Sequence, residues 1–266
     1  MLAFTTTLPD AANGRPPIVL VHGAASSSGI WRYWQARLAK QGYASYALDL
    51  RGHGQSTPCD LSRTSMHDYA ADVRTLSSQL ERKPVLLGWS MGGLVAMMAA
   101  AAGDAVACVC LAPSAPARAV DTSVTLREGV FGPEEYGITD RTAAEQPTMP
   151  DLDEEERKVA LAALGNESRR ARDERKAGIV VESMPCPLLI VTGTNDDQWP
   201  RERYDGLWLD ADYVEVEGAS HWGLVLADAP SPRPFLRWPV GWSSRASRRQ
   251  RNSYRDHGGV MAGLLS

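Results

Sequence analysis

A chain of 266 residues with 44% hydrophobic side chains is long enough to bury one large core, with room for an inserted subdomain. Its formal charge of -4 gives no global reason to expect nucleic acid or an anionic membrane as partner. The start, MLAFTTTLPD, lacks the basic region and long apolar run of a secretory signal, and the longest apolar run, 94–102, is too short to span a bilayer. The expectation is a cytoplasmic protein without a transmembrane segment.

In chain order, PIVLVH (17–22) is a buried strand by composition. Residues 29–40 place Ile30, Tyr33, Trp34 and Leu38 at helical spacing, and Gly42 follows as a stop signal. YASYALDL (43–50) is the next strand, RGHGQS a turn, and 66–80 a helix with Met66, Tyr69, Val73, Leu76 and Leu80 on one stripe. A strand over 84–89, a helix from Ser90 and the strand AVACVCL (105–111) complete a βαβ rhythm that implies a mostly parallel sheet flanked by helices, an α/β fold. Cys59, Cys108, Cys110 and Cys186 form no CxxC pair, so small buried hydrophobes in a reducing cytosol are expected rather than zinc ligands or disulfides. Cys108 and Cys110, two apart in a strand, share a face.

Between 113 and 183 the rhythm breaks. GPEEYG and QPTMP are followed by DLDEEERKVALAALGNESRRARDERKAG, a charged helical stretch whose charges are most simply a solvated face, with Glu154 and Lys158 a favourable i, i+4 pair. The segment is expected to be a helical lid insertion. Alternation resumes with CPLLIVTG (186–193), a helix around 200–208 and a short strand DYVEVEG (212–218). From 228 to 266 the chain is an atypical tail with seven arginines against two aspartates, about +5, leaving about -9 on the rest. A poorly ordered terminus accounts for it better than a polyanion-binding arm, because no periodicity organises the arginines. The division is therefore a core of 1–112 and 184–227, an insertion of 113–183 and a tail of 228–266.

The chemistry centres on GWSMGG (88–93). A serine hydroxyl is a weak nucleophile that needs a base within reach. In a strand–turn–helix elbow the residues on either side of the serine crowd together, and Gly88 and Gly92 relieve that crowding around Ser90. The following helix N-terminus favours developing negative charge.

Together with VLVHGAASSSGIW (19–31), LDLRGHGQS (48–56), VTGTNDDQWP (191–200) and GASHWG (218–223), this block resembles the α/β-hydrolase fold family over about residues 17 to 226, most weakly in the lid. The resemblance implies a Ser–acid–His triad in chain order, satisfied by Ser90, Asp196 and His221. Of five histidines, His22 and His53 fall where the family braces loops, His67 begins a helix and His257 lies in the tail; His221 follows a strand where the family places its base. Asp196 stands three residues after Gly193, the family position for the acid. Asp197 is left as a loop or cap carboxylate, and APSAP (112–116) offers no other. The oxyanion hole falls to the backbone N–H groups of Met91 and Ala24. Ser26 and Ser27 are expected to cap the helix ahead of Trp31, and Trp89 and Trp222 to line the substrate pocket.

The implied activity is hydrolysis of small or medium carboxylic esters through an acyl-enzyme, with no metal or organic cofactor. The same triad also serves lactone, amide and C–C bond hydrolysis, cofactor-free haloperoxidase chemistry, and small-molecule receptors built on a hydrolase scaffold. Two departures from the family stand out. Only sixteen residues precede the strand 17–22, which shortens the usual N-terminal hairpin to a single strand. The helix begun by GLVLADAPSPRPF is interrupted by Pro230, Pro232 and Pro234, and a sheet face left uncovered there would invite a homodimer.

Overall fold

Alternate residues of a strand point to opposite sides of the sheet, and the central strands here are apolar on both sides because both are covered. The computed structural model describes residues 1–11, 14–142 and 144–227. Its first half contains β1 (Ala3–Thr7), β2 (Ile18–Val21), α1 (Arg32–Lys40), β3 (Ser45–Asp49), α2 (Met66–Gln79), β4 (Val85–Trp89), α3 (Met91–Ala101) and β5 (Ala107–Leu111). After β5 come a short strand β6 (Val130–Phe131), α4 (Glu154–Ala162), a second short strand β7 (Glu167–Ser168) and α5 (Arg169–Ala177). β8 (Leu188–Gly193), β9 (Ala211–Val216) and α6 (Gly223–Leu226) follow.

Among the described residues, seven strands form one sheet in the order β1-β3-β2-β4-β5-β8-β9. Every neighbouring pair is parallel except β1 with β3, which are antiparallel. Ile18 and Leu20 of β2 pack with Trp34 and Leu38 of α1 and with α6 on one face. Val19 and Val21 pack with Tyr69, Val73 and Leu76 of α2 and with α3 on the other. α3 is apolar all round and nearly wholly buried, as a central helix must be. α2 starts in a capping box in which Ser65 and Asp68 satisfy each other's backbone N–H.

Several expectations are corrected. The charged helical stretch 151–178 holds two helices: α4 ends near Ala163, and β7 pairs antiparallel with β6 before α5 begins. Its charges are not all solvated, because Glu156, Glu167 and Asp173 are buried. Asp173 is held by the Arg127 guanidinium at 2.6 and 2.8 Å, and Glu156 caps α4 with Asp153. The helix expected over 200–208 is a 3-10 turn at Arg201–Tyr204. Cys59 is exposed, whereas Cys108, Cys110 and Cys186 are buried free thiols. The Sγ atoms of Cys108 and Cys110 lie 3.6 Å apart on their shared face. The tail 228–266, with its prolines and arginines, lies outside the described residues. Among the described residues no helix is long and apolar enough to cross a membrane.

Candidate active site

β4 ends at Trp89 and α3 begins at Met91, so one residue makes the whole turn. Ser90 does it at φ 56°, ψ -122°, a conformation that L-residues avoid. Hydrogen bonds hold it there: its N–H donates to Leu111 O at 2.9 Å, and its carbonyl accepts from Gly93 and Ser114 N–H at 3.0 Å each. The flanking glycines are dictated by contact. A Cβ on Gly88 would lie 2.2 Å from the Gly92 carbonyl oxygen, and one on Gly92 would lie 2.2 Å from the His22 carbonyl oxygen.

The loops after β8 and β9 bring Asp196 and His221 together. His221 Nδ1 lies 2.7 Å from Asp196 Oδ2. The other oxygen, Oδ1, accepts the N–H groups of Gln198 (3.0 Å) and Trp199 (2.9 Å). Burial alone would raise the Asp196 pKa, but the His221 bond and these two N–H donors outweigh it and hold the carboxyl below its usual value. An ionised Asp196 fixes Nδ1 as the protonated nitrogen and leaves Nε2 with its lone pair. Asp197 is exposed and takes no part in the pair.

Ser90, Asp196 and His221 line one cavity of about 300 Å³, with Ala24, Trp89, Trp222 and Asp197 also in its wall. Tyr136, Ile138, Pro147, Thr148 and Leu164, all from the segment between β5 and β8, also line it. The cavity therefore holds six of the seven residues singled out by the sequence; the seventh, Met91, is the first residue of α3, where an N–H has no intrahelical acceptor. Trp89 packs its ring 5.0 Å from that of His221 and 4.6 Å from that of Trp222.

Ser26 and Ser27 do not cap the turn ahead of α1. Ser27 Oγ instead donates to Ala163 O at 3.1 Å, Ser26 Oγ is buried without a partner, and Asp49 Oδ1 accepts Ser28 N–H at 2.7 Å. His22 and His53 sit in the loops after β2 and β3 with rings 5.1 Å apart. His22 Nε2 accepts Leu50 N–H at 3.2 Å while Nδ1 donates to Gly23 O at 2.8 Å. Burial, then the charge of His53, pushes its pKa down to about 4, so it is neutral. Sequence reasoning missed Asp151 and Glu167. Asp151 accepts the N–H and hydroxyl of Ser220, the residue before His221, and Glu167 reaches the loop after β2. Their one sequence signal, a carboxylate within a charged run, is the signature of a solvated face.

The arrangement offers a strained hydroxyl, an oriented imidazole and a buried carboxylate around one mixed apolar and polar cavity. The model of the alpha/beta hydrolase family matches residues 18–238. Among curated relatives, the pimeloyl-[acyl-carrier protein] methyl ester esterase of Pectobacterium carotovorum subsp. carotovorum (strain PC1) is 31% identical over 184 residues, which are 67% of this chain and 64% of that protein. The chain thus spans just under two thirds of that relative. The protein of the same name from Yersinia pestis is 28% identical over 239 residues, covering 77% of this chain and 85% of its own. Among solved structures, a thermophilic esterase from Thermogutta terrifontis aligns with a TM-score of 0.59 at 21% identity, over 85% of this chain and 88% of its own. An esterase from Rhodococcus sp. ECU1013 aligns at 0.60 and 23%, over 83% and 87%. These two likenesses are of fold.

Proposed function

Since this chain belongs to the alpha/beta hydrolase family, we propose that it is a serine hydrolase of carboxylic esters that works through an acyl-enzyme. The observation that carries the reading is the opening of Ser90, in its strained turn, and of the His221–Asp196 pair onto one cavity. Ser90 Oγ attacks the ester carbonyl carbon as His221 Nε2 takes its proton. The tetrahedral oxyanion is held by the N–H groups of Met91 and Ala24, aided by the N-terminus of α3. Collapse expels the alcohol, which leaves with the proton from the imidazolium. Water, activated by the same nitrogen, then releases the acid. Asp196 holds the tautomer and the developing positive charge on the ring. Trp89 and Trp222 offer apolar wall to the substrate.

The curated relatives give the substrate class to test first, the methyl ester of an acyl chain; their names speak of such an ester on acyl-carrier protein. Residues of the segment 113–183, among them Tyr136, Ile138 and Leu164, line the cavity, and in this reading the segment is an insertion that selects the acyl chain. The experiment is a panel of methyl esters, p-nitrophenyl acetate and butyrate, and lactones, run on the purified chain and on Ser90→Ala. Ester turnover that falls about 10³-fold or more in the variant is expected. Full retention by Ser90→Ala overturns the reading.

A further inference from the structure

Ala24 lies between two peptide planes that are both pinned. Its own N–H belongs to the Gly23–Ala24 peptide, whose carbonyl accepts from His22 Nδ1 at 2.8 Å. The next peptide, Ala24–Ala25, is held through its N–H, which donates to Glu167 Oε2 at 3.2 Å. Ala25 is itself at φ 52°, a left-handed conformation that an alanine keeps only when its surroundings impose it. Those surroundings are the insertion. Gly165 N–H donates to Ala25 O at 2.9 Å, and two residues on, Ser27 Oγ meets Ala163 O. Residues 163–167 thus hold the loop on both sides of Ala25.

Glu167 is suited to the task because it cannot move. It is wholly buried, and its Oε1 accepts Tyr69 Oη–H at 2.5 Å and Ser168 N–H at 2.6 Å. Its Oε2, which takes the Ala25 N–H, also lies 3.4 Å from His53 Nε2. Four groups from the loop after β2, the loop after β3, α2 and its own strand therefore converge on one carboxylate. Each oxygen has a backbone N–H to satisfy, which a carboxylate can do and a carboxamide cannot.

We propose that Glu167 is a positioning residue for the oxyanion hole, acting through Ala25 to aim the Ala24 N–H, so that the insertion is part of the site rather than a cover over it. This rests on the assignment of Ala24 in the proposed esterase. In Glu167→Gln either orientation of the amide sets an NH2 against a backbone N–H, and the loop relaxes. A misaimed donor weakens the transition state more than the ground state, and loss of one such donor costs about 10²–10³ in kcat.

The test compares ester kinetics of the full chain, Glu167→Gln and Asp173→Asn, alongside amide exchange of the full chain. Asp173→Asn is the control, because it breaks the pair with Arg127 in the same insertion but touches no residue of the Ala24 loop. Glu167→Gln is expected to lower kcat about 10- to 100-fold with KM within about threefold, while Asp173→Asn stays within about threefold in both. A Glu167→Gln kcat within twofold of the parent, or equal losses in the two variants, overturns the proposal. Exchange of the Ala25 amide in the unmutated chain judges the brace even where the variant does not fold or no ester is cleaved. Strong protection is expected there, and exchange at the rate of an open loop overturns it. Absence of Ser90-dependent turnover would instead sink the esterase reading and leave the exchange result standing.

Discussion

The indole N–H of Trp89 donates to the backbone carbonyl of His221 at 3.0 Å, tying the residue before the candidate nucleophile to the candidate base. Trp89→Phe keeps an aromatic ring beside the imidazole but deletes this bond and leaves a void where the rest of the buried indole packed against Trp222. We expect kcat toward a small ester to fall about three- to tenfold and the Tm to drop by about 4–12 °C, the effect of roughly 2–3 kcal/mol in a chain of this size. Stopped assays and thermal melts read both.

Ser90 stores strain where it is most exposed to test. Ser90→Gly removes the hydroxyl and the Cβ that makes φ 56° costly. Relief of about 1–3 kcal/mol, less the entropy that glycine adds to the unfolded chain, leaves a net gain near 1 kcal/mol. The variant should melt a few degrees higher and hydrolyse no ester.

The two adjacent aspartates separate cleanly. Asp196→Asn replaces the oxygen that meets His221 Nδ1–H and favours the wrong tautomer, so kcat should fall by about 10³–10⁴. Asp197→Asn, at an exposed carboxylate outside the pair, should stay within about threefold. The reverse ranking would transfer the acid to Asp197.

Gly92→Ala forces a Cβ onto the backbone carbonyls of Val21 and His22, at 2.3 and 2.2 Å, where nothing flexible can yield. It should leave little soluble protein. Gly165→Ala has open space within 4 Å and should express and melt like the parent. Soluble yield and Tm of the two variants check the contrast.

The Glu167–His53 pair makes stability depend on pH in a definite window. Burial acts against Glu167, but the charge of His53, 3.4 Å away, and the Tyr69 hydroxyl bring its pKa from 4.5 to about 2. Its contribution is therefore complete above about pH 4.5 and lost as pH falls toward 2. Burial likewise acts against protonated His53, and Glu167 outweighs it, so the His53 pKa is raised above 6.5. That contribution is complete below pH 6.5 and lost as pH rises through the raised value. His22, held near 4, opposes it, since its neutral form is stabilising above pH 6.5 and less so as pH falls to 4. The charges of Asp49 and Arg175 also face these groups. The difference in Tm between the parent and Glu167→Gln should thus be largest between about pH 4.5 and 6.5, near 10 °C for a broken buried pair of about 3 kcal/mol. It should narrow above that window. A difference that is flat from pH 5 to 9 would mean the pair is not ionic.

What could be read from the chain alone was what depends on near neighbours. The βαβ rhythm, the elbow at Ser90 and the Gly193-x-x-Asp196 spacing are short-range patterns, and each element formed close to where the pattern placed it. The segment 113–183 was harder because its decisive contacts are remote: Glu167 meets Ala25 across 142 positions and Asp151 meets Ser220 across 69. A run such as DEEERK carries the same signature whether its carboxylates face water or a buried histidine. Ser27 failed as a cap for a related reason, since its hydroxyl turns to the carbonyl of Ala163, 136 positions away.

The 142-residue separation between Ala25 and Glu167 also orders events in time. As the chain is made from its N-terminus, the loop bearing Ala24 emerges long before the carboxylate that pins it, and β8 and β9, with Asp196 and His221, emerge later still. A nascent chain thus carries Ser90 with neither the His221–Asp196 pair nor the carboxylate that meets the Ala25 N–H. The proposed hydrolysis begins only when synthesis of the sheet is essentially done.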